Sequence, residues 1–335
     1  MLKTIKIKFQ NGLDFKTAKA EILNELDDIF DFRESNEPDF IVFGPYGNDI
    51  PEKGNYTRVG YFCENVKPDF SCCKWAFGIS REETIKRTNY KRIQWHGFDP
   101  ETLVKPAVIN TESILNSKTK FCNFLYSNQV PYREAFFKAL NKYKKVDAPG
   151  KSMNNMPGID QLNQTDKWTA KRSFLQQYKF TIAFENDLFP GYQTEKLYDA
   201  MLAGTLPIYL GDPTIGEIFN TKSFIHGRDY LQTNQNSIVT WVEKYCQQDF
   251  EDIRPQFFYS PVQRLKRHLK MRGRNLKMKL QFNKANFSDL VDKIIELDKN
   301  PDLYLQYIKQ PWLNQNIVLK NASTKNQWIK IFNSR

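Results

Sequence analysis

A chain of 335 residues with 40% hydrophobic, 14% aromatic and 26% charged residues is long enough for two domains with full cores and lies outside disordered or collagen-like compositions. Its 49 basic against 38 acidic residues leave a formal charge of +11, which suits an anionic partner such as nucleic acid, a membrane surface or a phosphate-bearing substrate without choosing among them. Five cysteines, Cys63, Cys72, Cys73, Cys122 and Cys246, with no CxxC pair, argue for free thiols in the cytoplasm; no apolar run reaches the ~18–20 residues of a membrane-spanning helix, and the opening MLKTIKIKFQ lacks a signal peptide's apolar core.

Along the chain, Ile5, Ile7 and Phe9 alternate with Lys6 and Lys8 as a half-buried strand does. After Asn11-Gly12, the residues Ala18, Ile22, Leu23 and Leu26 recur at helical spacing. Short apolar runs at Phe40 to Phe43, Val59 to Phe62 and Trp75 to Ile79, each bounded by Gly, Pro or Asn, predict further strands of one sheet. The pattern weakens between Thr102 and Lys120, where a linker is expected. Phe121 to Tyr126 then predicts a strand, and Pro131 opens a helix at its favoured first position. A second unit follows: strand Phe180 to Phe184, loop Glu185 to Gln193, helix Thr194 to Ala203 with Gly204 as its cap, and strand Leu206 to Leu210. That spacing is a βαβ crossover of parallel strands. Strand and helix alternation on both sides of the linker predicts an α/β protein of two domains facing each other across a cleft.

Ligands of open parallel sheets bind at the carboxyl ends of the strands, beside the N-termini of the following helices. Asn128 and Arg133 follow one predicted strand; Glu185, Asn186, Tyr192, Glu195 and Lys196 follow the next. A cation in the first turn of a helix opposes the macrodipole. Two of them, Arg133 and Lys196, fit an anion held at the helix ends, against the alternative of two surface ion pairs. Familiar nucleotide motifs do not explain such a site: Gly150-Lys151-Ser152 lacks the earlier glycine of a Walker loop, and no GxGxxG opens a helix after a strand. No Asp-x-Asp triplet is present to hold a divalent ion against a diphosphate, and with His96, His226 and His268 as the only histidines a histidine metal site is not expected. A bound diphosphate would be neutralised by Lys, Arg and helix dipoles.

The stretch FTIAFENDLFPGYQTEKLYDAMLAGTLPIYLGDPTIGEIFNTKSFIH, Phe180 to His226, resembles the donor-binding segment of the α-1,3/4-fucosyltransferases, glycosyltransferase family 10. Its FEN, Tyr-x-Thr-Glu-Lys, Pro-Ile-Tyr-x-Gly and Ser-Phe-Ile-His elements stand in family order. Further ordered matches lie in Pro38 to Phe70, Ser127 to Arg133 and Tyr143 to Gly158. The resemblance implies a GT-B-like architecture of two Rossmann-type α/β domains: an acceptor-binding domain over 1–116, a GDP-fucose-binding domain over 117–305, and a tail over 306–335 packing back on the first. It implies an inverting α-1,3-fucosyltransferase that needs no cofactor or metal and moves fucose from GDP-fucose to the GlcNAc or Glc of a β-galactoside, of N-acetyllactosamine or lactose type.

Carried over by motif, Glu64 is the general base and Arg133 and Lys196 hold the pyrophosphate. Glu195 accepts hydrogen bonds from the ribose, and Asn128, Asn186 and Tyr192 complete the donor pocket. Tyr90, Trp95 and His96 are candidates for an aromatic acceptor platform, against the alternative that they are core. Cys63 stands where the family has glycine before the base, Lys74 and Ser80 stand where it has aspartates, and the heptad-repeat tail of some bacterial members is absent. In its region lies a run with no acidic residue, Arg264 to Lys279. That run reads as a solvated basic helix or as a peripheral contact of a cytoplasmic protein with an anionic membrane. The rival functions are a glycosyltransferase of another nucleotide sugar and a basic polyanion-binding protein; no nucleic-acid motif is present.

Overall fold

The computed structural model describes residues 2–159, 167–234, 236–253, 260–319 and 323–335. The chain divides into two compact units, one of 1–99, 235–281 and 319–335, the other of 100–234 and 282–318. The units are therefore discontinuous in sequence, unlike the contiguous ranges expected above. The expected linker belongs to the second unit and contains a helix, Thr111–Ser117, whose start is fixed by Asn110 accepting the Ser113 amide at 3.0 Å.

In the first unit six strands, β1 (Lys3–Gln10), β2 (Phe30–Glu34), β3 (Phe40–Phe43), β4 (Thr57–Phe62), β5 (Trp75–Gly78) and β6 (Tyr90–Arg92), form one sheet in the order β2-β1-β3-β4-β5-β6. Every pairing is parallel. Parallel strands must be covered on both faces, which accounts for the continuously apolar β3 and β5. β2 was not expected, although Phe30 and Phe32 alternate as a strand requires. The C-terminal helix Lys325–Asn333 closes one face: Phe332 meets the rings of Phe30, Phe32 and Phe40 edge-on at 5.1–5.4 Å, and Trp328 stacks on Phe77 at 4.2 Å. After β1 the chain turns sharply at Asn11 and Gly12, with φ of 52° and 89°. Gly12 is required there, because a Cβ would collide with the Tyr46 carbonyl.

In the second unit β7 (Lys120–Asn123), β8 (Val146–Asp147), β9 (Tyr178–Phe184), β10 (Leu206–Leu210) and β11 (Ile225–His226) form a sheet in the order β11-β10-β9-β7-β8, again parallel throughout. The crossover from β9 to β10 carries the helix Glu195–Leu202, with Thr194 at its N-cap and Gly204 at φ 62° just past its end. The helix Pro131–Asn141 follows β7 and buries Tyr132, Phe136, Phe137 and Leu140. Because β9 lies beside both β7 and β10, the loops following all three strands leave the same edge of the sheet.

Candidate active site

Arg133, in the first turn of the Pro131–Asn141 helix, has no exposed surface. Its guanidinium donates to Asn186 Oδ1 at 2.8 Å, to the Asn128 carbonyl at 2.8 Å and to the Phe184 carbonyl at 3.4 Å, and its carbon lies 4.0 Å from the Tyr126 ring centre. Among the described residues no carboxylate pairs with it, and its Nε has no hydrogen-bond partner. A buried charge held only by neutral dipoles is costly unless an opposite charge arrives. Tyr126 keeps the platform in place: its hydroxyl donates to the Ile182 carbonyl at 2.8 Å and accepts the Phe184 amide at 2.6 Å.

Lys196 opens the helix after β9. Its ammonium donates to Thr194 Oγ1 at 2.8 Å and lies 3.4 Å from Glu185 and 3.7 Å from Glu195. Burial works against this ammonium, but the two carboxylates outweigh it and raise its pKa, so it stays charged at neutral pH. Glu185 is fully buried and accepts the Thr194 amide at 2.8 Å and the Thr194 hydroxyl at 2.7 Å; burial raises its pKa, with Lys196 opposing. Gly211, at the end of β10, leaves room for it, since a Cβ there would stand 2.5 Å from Glu185 Cγ. The Arg133 charge reaches Lys196, opposing its carboxylates, and both cations act on the Tyr126 hydroxyl.

The structure thus gathers the predicted donor residues Asn128, Arg133, Asn186, Glu195 and Lys196 at one sheet edge. Tyr192, in the same loop as Asn186, is buried and stacks on Phe189 at 4.8 Å. Glu195, 44% exposed, also faces Lys171 at 3.8 Å. Tyr126, Tyr132 and Thr194 were not singled out from sequence; the Tyr132 hydroxyl donates to the Glu185 carbonyl.

The remaining candidates belong to the first unit. Glu64 is exposed in the loop after β4, where its carbonyl accepts the Val66 amide at 2.6 Å. The Tyr46 hydroxyl is pushed up to about 12 by burial first and the Glu64 charge second. The three aromatic candidates differ in burial: Tyr90 is buried, Trp95 half-buried and His96 exposed. Tyr90 lies on β6 at 4% exposure, its hydroxyl donating to the Ser80 carbonyl at 2.5 Å, so its ring is core and presents no open surface. His96 Nδ1 is 3.1 Å from the Tyr61 hydroxyl and its Nε2 is 3.8 Å from Glu21, whereas Trp95 packs against Phe98 at 6.0 Å. Among the described residues no three His, Cys, Asp or Glu side chains cluster to hold a metal, and no helix is long and apolar enough to cross a membrane.

Residues 115–251 match the family model described as glycosyltransferase family 10 (fucosyltransferase), C-terminal. The chain is 32% identical to the α-(1,3)-fucosyltransferase FucT of Helicobacter pylori over 251 residues, covering 61% of this chain and 51% of that protein. It is 36% identical over 129 residues, 36% of this chain and 21% of the relative, to a putative fucosyltransferase of Acanthamoeba polyphaga mimivirus. The matches thus span between a fifth and about half of the length of these curated relatives. A crystal structure of an α1,3-fucosyltransferase with GDP aligns with all of this chain and 91% of its own at a TM-score of 0.62 and 21% identity. One with GDP-fucose aligns at 0.61 and 22%, over 99% and 91%. The fold is shared with them: two units of parallel sheet and helices, the GT-B-like class expected from the sequence.

Proposed function

We propose that this chain, whose residues 115–251 carry a glycosyltransferase family 10 domain, is an inverting α-1,3-fucosyltransferase that uses GDP-fucose. The observation that carries the reading is the buried Arg133 guanidinium, held by carbonyl and amide oxygens and by no described carboxylate, beside a second cation at the start of the next helix. A diphosphate supplies the missing negative charge, and it leaves the reaction at the place where two cations and two helix N-termini stabilise it. Asn186, Asn128, Tyr192 and Glu195 complete the donor site.

In this reading the Glu64 carboxylate removes the proton from the acceptor hydroxyl as that oxygen bonds to the sugar carbon. The bond from that carbon to the diphosphate breaks in the same displacement, GDP departs with the electron pair, and the configuration inverts. General-base assistance of this kind contributes ~10²–10⁴ in rate. The acceptor is the GlcNAc or Glc of a β-galactoside, with Trp95 and His96 as its aromatic neighbours, and neither a metal nor another cofactor takes part.

The test is incubation of the chain with GDP-fucose, GDP-mannose, UDP-galactose and ADP-glucose, each with lactose or N-acetyllactosamine, read by mass. Gain of one deoxyhexose with GDP-fucose alone is expected. Transfer from a different nucleotide sugar would move the reading to another glycosyltransferase, and no transfer with tight binding of polyanions would favour the binding-protein alternative.

A further inference from the structure

The helices Ser237–Cys246 and Pro261–Phe282 of the first unit pack side by side: Gly273 sits against Cys246, where a Cβ would overlap the thiol, and Arg274 donates to the Cys246 carbonyl at 3.1 Å. The first helix buries Val239 and Val242. Its Ile238, Trp241 and Tyr245, spaced i, i+3, i+7 and hence on one face, are each more than half exposed. The second helix repeats the spacing with Val262, Leu265 and Leu269, each again more than half exposed. Monomeric proteins scatter exposed apolar residues singly; an exposed apolar stripe on each of two helices that pack together marks a contact surface.

The cations of the long helix fall into two groups. Lys270 is tied to Asp249 and Asp252, the latter at 2.9 Å, and buried Lys277 lies 3.8 Å from Glu243. These hold the helix to the unit. Arg264, Lys266, Arg272 and Lys279 are exposed, and no acidic residue lies between Arg264 and Lys279.

We propose that this two-helix face docks on an anionic lipid surface. Exposed aliphatic side chains, a tryptophan and a tyrosine on two packed helices, with exposed lysines and arginines on the longer one, match the layered chemistry of a bilayer interface, apolar inside and negatively charged at the headgroups. A nucleic acid would satisfy the cations but leave the leucines and valine against water. A second copy would bring two sets of like charges together. The face is independent of the donor site assigned above, so it stands or falls apart from the proposed transfer reaction.

The experiment is sedimentation of the whole chain with vesicles of phosphatidylcholine alone or with 30% phosphatidylserine. Binding to the anionic vesicles is expected, falling with salt. Each cation near such a surface contributes about fivefold. The variant R264Q/K266Q/R272Q/K279Q is therefore expected to bind roughly a hundredfold or more weakly, and W241S/L265S/L269S about tenfold or more weakly. In the unsubstituted protein, brominated acyl chains are expected to quench tryptophan fluorescence, and Trp241→Phe to remove that quenching; this readout does not depend on the multiple variants folding. Equal binding to neutral and anionic vesicles, or none to either, overturns the proposal. So does retention of binding by the apolar variant together with equal affinity for duplex DNA, which would make the face a general polyanion site.

Discussion

The Lys196 ammonium lies 3.4 Å from a Glu185 carboxylate with no exposed surface, and both side chains grip the same Thr194 hydroxyl, one by donating to it and one by accepting from it. The end of β9 is thereby fastened to the start of the following helix. One of the two cations of the proposed donor site is thus held in place by the protein's own side chains, which reduces what must be ordered on binding.

Removing Lys196 leaves a buried carboxylate without its cation, so Lys196→Ala is expected to lose ~3 kcal/mol or more of stability at neutral pH. The loss is pH-dependent, with a sign that follows from burial. Glu185 already has a raised pKa, and without Lys196 it rises further above the unfolded value. A raised acid is favourable below the unfolded pKa and loses that contribution as pH climbs through the folded one. The melting-temperature deficit of Lys196→Ala should therefore be smaller at pH 5 than at pH 8. Lys196→Ala/Glu185→Gln should be more stable than Lys196→Ala, and thermal unfolding of the four proteins of the cycle measures this.

Arg133→Ala is expected to weaken GDP binding about ten- to a hundredfold, the ~1.5–3 kcal/mol of a charge-assisted contact. Arg133→Lys should not restore it, because one ammonium cannot span Asn186 Oδ1, the Asn128 carbonyl and a phosphate together. Calorimetric titration with GDP decides; unchanged affinity in both variants would mean that Arg133 is a structural cation of the loop.

GDP should raise the melting temperature while UDP and ADP raise it far less, since a ligand bound only by the folded state stabilises it by mass action. Chelation with EDTA should leave the GDP shift intact, because in the proposed site Arg133 and Lys196, rather than a divalent ion, face the diphosphate. Equal shifts with all three nucleotides, or loss of the shift in EDTA, would contradict these assignments.

For Glu64→Gln the expected outcome is a fall in kcat of ~10²–10⁴ with GDP affinity nearly unchanged, since the amide retains the size of the side chain but cannot take a proton. Steady-state kinetics and GDP titration on one preparation separate loss of chemistry from loss of fold. Normal transfer by Glu64→Gln would give the base to another residue and leave the donor-site assignments standing.

The alternation of Ile5, Ile7 and Phe9, the continuous apolar runs of β3 and β5, and the strand, loop and helix from Tyr178 to Leu202 are local patterns, and the structure contains elements at these places. The clustering of Asn128, Arg133, Asn186 and Lys196 was legible as well, because parallel strands send the loops that follow them to one edge. What tertiary structure decided is the partnership of those residues. Arg133 meets Asn186, 53 positions away, because β7 and β9 lie side by side, and strand order is not written in periodicity. Likewise Tyr90 could be read as a surface aromatic until β6 paired with β5 and buried it. Sequence period sets the face of an element on which a side chain stands, whereas burial and charge pairing depend on which element is placed against that face.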